Sequence, residues 1–251
     1  MKSIGTERIE RWKTKAAVLF FSCLFLLSGL SVYQKHAEID AIGPNVKETG
    51  AEMEEAVKYV SSSMVTEPPK IAITFDDGPS NSWTPALLDG LKERGVKATF
   101  FLIGQNAEKS PELVKRLDAE GHLIGNHTYH HVEITKVSND EAYEEITKTN
   151  EVIYSITGKN TEYMRPPFGL WQRELELDLE VLPVMWTIDP LDWTTENVDE
   201  IVNKVVTEAE ENDIILMHDC YKSSVEAALR IIDILKEKGF EFVTVDELIM
   251  N

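Results

Sequence analysis

Hydrophobic and polar positions divide the chain into three regimes. Residues 16–32 run from Ala16 to Val32 without a charge. Their length reaches the lower limit for a bilayer span, about 17 residues. Residues 33–66 keep no sustained period beyond a short helical pattern over 52–60 and read as a spacer. Ser61-Ser62-Ser63 and Pro68-Pro69 mark its end. From residue 67 to 251, β-branched apolar runs alternate with segments of helical period. Strands are predicted over 70–76, 97–104, 122–127, 162–165, 181–188, 213–218 and 240–245, and helices over 83–94, 107–120, 139–156, 197–211, 224–238 and 246–250. The stretch 169–180 fits a strand or a loose helix, since Leu175, Leu177 and Leu179 alternate with acidic residues. Strands alternating with helices predict a parallel sheet. Seven such units in about 180 residues suit an α/β fold that is a small, incomplete relative of the (β/α)8 barrel, with an open doubly wound sheet as the alternative.

Charge separates the same regimes. Residues 1–15 hold Lys2, Arg8, Arg11, Lys13 and Lys15 against Glu7 and Glu10, a net +3; the whole chain carries −19, which leaves −22 for the remainder. A basic flank before an uncharged run favours an N-terminus held in the cytoplasm. Residues 16–32 are therefore expected to be an uncleaved transmembrane anchor, with a cleaved signal peptide as the rival reading. Either way the domain at 67–251 is exported: it is expected on the outer side of the cell membrane as a single-pass protein, or secreted after cleavage. The acidic body repels phosphate backbones and argues against nucleic acid as a partner. No obligate protein partner is expected. Cys23 lies in the apolar run and Cys220 near the C-terminus, an arrangement that argues against a disulfide within the domain.

The unusual polar clusters all fall at the C-terminal ends of predicted strands. They are Asp76-Asp77, His127 to His131, Arg165 to Gly169, Asp189 to Trp193, and Leu216 to Asp219. In a parallel barrel those ends converge on the face where active sites are built. Adjacent residues of an extended segment point to opposite sides, so Asp76 and Asp77 take different tasks, one suited to a metal and the other to a proton. Taken alone, Asp-Asp-Gly-Pro reads first as a solvated turn. His127 and His131 are four apart, so a helical turn aims both imidazoles at one metal, and Asp77 completes a set of two His and one Asp with positions left open. His130 is expected to face away, and His122 and His36 to be surface or spacer residues. A buried Arg165 needs an anion, and Asp76 is the natural one. Pro166-Pro167 stiffen the loop that presents the backbone N–H of Phe168. Asp192 and Trp193 place a charge and an aromatic wall beside the site. Trp186 reads as a core residue. His218 leaves a buried strand at the active face; a satisfied core histidine is the other reading.

As a set, these stretches resemble the polysaccharide deacetylases of the NodB-homology type, carbohydrate esterase family four. The motifs are Thr-Phe-Asp-Asp-Gly-Pro-Ser at 74–80, His-Thr-x-x-His at 127–131 preceded by Asn126, Arg-Pro-Pro-Phe-Gly at 165–169, Asp-x-x-Asp-Trp at 189–193 and Leu-x-His-Asp at 216–219. The resemblance covers roughly residues 68–248 and implies a distorted (β/α)7 barrel. It implies a divalent metal on Asp77, His127 and His131, Zn2+ first, with Co2+, Mn2+ or Ni2+ as alternatives. It also implies Asp76 as general base with Arg165 as its partner, His218 as general acid tuned by Asp192, and an acetyl pocket lined by Trp193 and Leu216. The third motif departs from the family's usual run toward an Asn and continues Leu170-Trp171-Gln172, which bears on substrate contacts. The implied reaction is metal-dependent removal of N-acetyl groups from a cell-envelope glycan, peptidoglycan N-acetylglucosamine first. Chitin, acetyl-xylan esterase activity and a silent glycan-binding domain are the alternatives.

Overall fold

Strand β1 (Lys70–Asp76) is buried along its whole length after Lys70, and its two faces serve different layers. Ile71, Ile73 and Phe75 join the large apolar cluster shared with the helices, whereas Ala72 belongs to an inner cluster with Phe101, Tyr163, Val184 and Val245. This two-sided burial is why the run is apolar almost without interruption. The computed structural model describes residues 67–171 and 181–250. The apolar run 16–32, the helix expected over 52–60, Cys23, His36 and the ambiguous segment from 172 to 180 lie outside the described residues. Among the described residues no helix is long and apolar enough to cross a membrane.

The remaining strands are β2 (Thr99–Leu102), β3 (Leu123–Asn126), β4 (Tyr163–Met164), β5 (Leu182–Pro183), β6 (Ile214–His218) and β7 (Glu241–Phe242). They pair in parallel in the order β5-β4-β3-β2-β1-β6, and β7 pairs with the first two residues of β1. The predicted strand over 181–188 is split. Leu182 and Pro183 pair with β4, while Ile188 bridges to Ile215 of β6 and accepts the Leu216 N–H at 2.9 Å. The guanidinium of Arg165 splits the strand by taking the carbonyls of Val184 and Met185 at 3.1 and 3.2 Å, so those groups do not serve a ladder. Through this divided segment the row of strands curls back on itself. The result is a distorted barrel, and the open doubly wound alternative is set aside.

Seven helices cover the outside: α1 (Thr84–Arg94), α2 (Gly104–Lys109), α3 (Pro111–Ala119), α4 (Asn139–Thr157), α5 (Val198–Glu208), α6 (Lys222–Glu237) and α7 (Val245–Ile249), counted among the described residues. The single helix expected over 107–120 is two, divided at Ser110, because Pro111 lacks the N–H to continue a helix and fits the first position of a new one. Helix starts follow their capping residues. Ser138 accepts the Glu141 N–H, Asn197 accepts that of Glu200, and Thr244 and Glu247 form a capping box.

Candidate active site

The inner face of β1 reads Ala72, Thr74, Asp76, and its register sets Asp76 directly beside His218 on β6. Two titratable side chains thus come from neighbouring strands, 142 positions apart in sequence but adjacent in the barrel mouth. Asp76 is 3% exposed and accepts from Arg165 at 2.8 Å. Arg165 is fully buried. It also donates to Thr74 Oγ1 at 2.6 Å, and its guanidinium carbon lies 4.3 Å from the centroid of the Phe101 ring. Burial pulls this guanidinium below its ordinary pKa, and the Asp76 carboxylate opposes the pull. The ion pair is therefore clamped on every side, as a buried pair must be if its desolvation cost is to be offset.

Asp77, one residue past the strand, swings to the opposite side with a left-handed φ of 71°. Its Oδ1 is buried, without a hydrogen-bond partner among the described residues, and lies 3.4 Å from His127 Nε2 and 3.3 Å from His131 Nε2. One ligand atom from each of these three residues lies within 4.8 Å of the others. His127 Nδ1 sits 2.6 Å from the Arg165 carbonyl, which can only accept, so Nδ1 carries the proton and Nε2 the lone pair. A metal ligand needs that tautomer, and a carbonyl partner of this kind is what orients metal-binding histidines. Burial raises the Asp77 pKa, but the neighbouring imidazoles, His127 foremost, outweigh it and hold the carboxyl below its ordinary value. Burial and the His127 charge lower the pKa of His131. An orphaned buried carboxylate oxygen facing two imidazoles with available lone pairs fits a divalent cation.

The two histidines do not lie on a helical turn. The loop after Asn126 instead carries two left-handed residues, Thr128 and His131, each with φ of 60°. Side chains replace the helical ladder. Asn126 Oδ1 accepts the Thr128 N–H, and Glu145 accepts the N–H groups of Tyr129 and His130. His130 turns away and its Nδ1 meets Glu145 at 2.6 Å. His122 is not a surface residue. It is 6% exposed, accepts the Ala98 N–H, and burial takes its pKa down to about 4.

His218 is anchored twice by Asp192, which is 1% exposed: Nδ1 at 2.8 Å and the backbone N–H at 2.9 Å. Burial lowers the His218 pKa, yet the Asp192 hydrogen bond and charge, helped by Asp76 and Asp77, carry it up to about 9. Nδ1 is committed to Asp192, so Nε2 is the nitrogen left to exchange a proton. A cavity of about 400 Å³ gathers Asp76, Asp77, His127, His131 and His218 with Phe168, Trp193 and Leu216. Arg165 lies beneath its floor and Asp192 behind His218. The sequence reading missed Tyr221 in this lining, named Asp189 only as part of a strand-end cluster, and placed Trp186 in the core, whereas Trp186 lines the cavity and lies 5.6 Å from the Arg165 guanidinium. An aromatic just past a strand-end His-Asp pair was the available signal for Tyr221. Asp219 was also given no role. It is fully buried, accepts from Thr84 at 2.5 Å, and touches the turn at Gly78 so closely that a Cβ there would lie 2.6 Å from both its oxygens.

Comparison with known proteins agrees with this geometry. The polysaccharide deacetylase family signature matches residues 63–185, a stretch that ends before Asp192 and His218. The chain is 40% identical over 198 residues to the peptidoglycan-N-acetylglucosamine deacetylase PgdA of Listeria monocytogenes, covering 76% of this chain and 42% of that protein. It thus spans about two fifths of the length of that relative. A peptidoglycan-N-acetylglucosamine deacetylase of Bacillus cereus is 42% identical over 186 residues, covering 71% of this chain and 68% of the relative. The solved structure of peptidoglycan deacetylase PdaC from Bacillus subtilis superposes with a TM-score of 0.71 at 37% identity, covering 73% of this chain and 91% of that one. With strand-end chemistry, fold and sequence in agreement, the chain belongs to the polysaccharide deacetylase family.

Proposed function

We propose that this protein hydrolyses the N-acetyl group of an envelope glycan, peptidoglycan N-acetylglucosamine first, and releases acetate. One observation carries the reading: the Asp77–His127–His131 set opens into the same cavity as two separately held proton-handling groups, Asp76 on Arg165 and His218 on Asp192. The names of the Listeria and Bacillus relatives support the glycan.

A divalent cation on Asp77, His127 and His131, with Zn2+ the first candidate, supplies Lewis acidity toward the acetamide carbonyl and toward water. Asp76 takes the proton of the attacking water, and Arg165 keeps its carboxylate in place for that task. As the water oxygen bonds to the carbonyl carbon, charge gathers on the carbonyl oxygen, within reach of the Phe168 N–H. His218 Nε2 then protonates the departing nitrogen while the C–N bond breaks. Trp193 and Leu216 hold the acetyl methyl. The products are acetate and a free amino sugar. We further propose that residues 16–32 hold the domain on the outer face of the cell membrane.

The test is acetate release from peptidoglycan, chito-oligosaccharide and acetyl-xylan by the full chain, before and after chelation and with Zn2+ or Co2+ restored. Release from N-acetylated glycan that chelation abolishes and metal restores is the expected result. Full release by demonstrably metal-free protein would overturn the metal's role, and release from acetyl-xylan alone would overturn the amide substrate.

A further inference from the structure

His127 and His131 are held by different means. His127 has the Arg165 carbonyl behind its ring. The ring of His131 meets those of His127 and Phe168 at 4.9 Å between centroids, and its Nδ1 has no hydrogen-bond partner among the described residues. Its direction therefore comes from the backbone, which is left-handed at His131 and at Thr128. Such a conformation in a non-glycine residue persists only where the surroundings impose it. Two elements take the polar groups of the loop. Gly104 and Gln105, at the start of α2, donate their N–H groups to the carbonyls of Thr128 and Tyr129 at 2.9 and 3.1 Å. The N–H groups of Tyr129 and His130 go to one carboxylate oxygen, Oε2 of Glu145 on α4, at 3.0 and 2.7 Å. The other oxygen, Oε1, takes His130 Nδ1 at 2.6 Å. Glu145 is 9% exposed, and the proposed reaction does not use it.

We infer that Glu145 is a positioning residue for the metal site: it fixes the backbone from which His131 reaches the ion. It does for His131 what a hydrogen bond to the ring does for His127. The inference rests on the metal-dependent reading of the site and deepens it. An ionised carboxylate only accepts, and its two oxygens can take two N–H groups on one side and an imidazole on the other. Hydrogen bonds to a charged acceptor are shorter and stronger than neutral ones. Three of them from two consecutive residues fix the chain immediately before His131. The contact with His130 Nδ1 also turns that imidazole aside, so the Asp77 carboxylate gathers His127 and His131 and not the histidine between them. Without Glu145 the left-handed backbone at His131 loses the contacts that impose it. Relaxation to an ordinary φ would then carry the imidazole off the ion.

The test is calorimetric titration of Zn2+ into the chelated full chain and three variants of it. Glu145→Ala should weaken binding ~10–100-fold, the usual loss when the support of a metal ligand is removed. Glu145→Gln should recover most of the affinity, because the amide oxygen can take both N–H groups while its NH2 faces a neutral His130 Nδ1. Ile153→Ala removes apolar volume from the same helix, in the main apolar cluster. It should lower the unfolding temperature and leave Zn2+ affinity where it was. Visible absorption of the Co2+-loaded proteins is a second readout, since it follows the ligand set. The spectrum should change in Glu145→Ala and match the parent in Glu145→Gln and Ile153→Ala. Parent affinity in Glu145→Ala, a loss as large in Glu145→Gln, or an equal loss in Ile153→Ala would each overturn the positioning role and leave the metal reading standing. A parent chain that binds no divalent cation would overturn both.

Discussion

At the scale of single residues, the site works by giving similar groups unlike surroundings. His218 and His131 share one cavity, yet Asp192 raises one pKa to about 9 while burial and a neighbouring imidazole lower the other. An unperturbed His, near ~6.5, is mostly neutral at pH 7 and a poor donor, so the Asp192 contact is what keeps His218 protonated. A divalent cation at Asp77 acts against it, so the alkaline limb of kcat/KM for the loaded enzyme should lie at or below about 9. Asp192→Asn should move that limb toward ~6.5, and His218→Ala should remove it with a ~10²–10⁴-fold loss of rate. A pH–rate series on one soluble oligosaccharide measures both; a limb unmoved in Asp192→Asn would assign it to another group. Asp219 gives the opposite kind of prediction. Burial takes its carboxyl up to about 7, against the donated Thr84 hydrogen bond and with the Asp77 charge adding to the rise. Its folded pKa exceeds the unfolded value of ~3.9, so the folded chain binds the extra proton in that interval and stability falls as pH rises through it. Thermal unfolding of metal-free Asp219→Asn should therefore gain on the parent from about pH 4 up to about pH 7, and the gain should level off above that. Parallel profiles for the two proteins across that range would refute the assignment.

At the scale of elements, local signals placed strands and helices well, and they failed where a long-range side chain intervened. β1 and α1 fall close to where apolar period and turn residues put them. The strand over 181–188 was divided by Arg165, a residue at the end of another strand. The His127–His131 turn was shaped by Asn126 and Glu145, and Glu145 lies on a helix further along the chain. A third contact of this type holds the turn carrying Asp77. Gly78 lies against the buried Asp219 carboxylate, and Ser80 donates its N–H to Thr84 Oγ1, which in turn donates to Asp219. Gly78→Ala should cost ~1–3 kcal/mol, because neither Cβ nor carboxylate has room to move. It should also weaken Co2+ or Zn2+ binding through displacement of Asp77. Differential scanning calorimetry and metal titration of the same variant test this, and unchanged metal affinity would show that the turn does not depend on the contact.

At the scale of the whole molecule, a charge of −19 coexists with a basic first segment of net +3. The acidic body suits a neutral glycan and cations better than polyanions. The uncharged run behind the basic segment leads to a prediction of its own. The expressed full chain should sediment with membranes and resist extraction by high salt, since a buried apolar span is not held by screened charges. A soluble product whose N-terminus begins near Val32 would show cleavage instead.

The sequence by itself determined the strand–helix alternation, the parallel sheet and the clustering of chemistry at strand ends. These follow from local period, turn residues and handedness rules that need no knowledge of distant contacts. It also supplied every residue given a role in the proposed mechanism: the strand-end clusters picked the residues out, and the resemblance to the polysaccharide deacetylases implied their tasks. Only the tertiary structure decided that Asp76 stands in register beside His218, that the Arg165 carbonyl sets the tautomer of His127, and that Trp186 and Tyr221 line the cavity. It alone showed Asp219 buried beneath the turn that carries Asp77. Those facts depend on register, burial and hydrogen bonds between residues tens to more than a hundred positions apart. A local pattern carries no information about such contacts until the barrel brings the strand ends together.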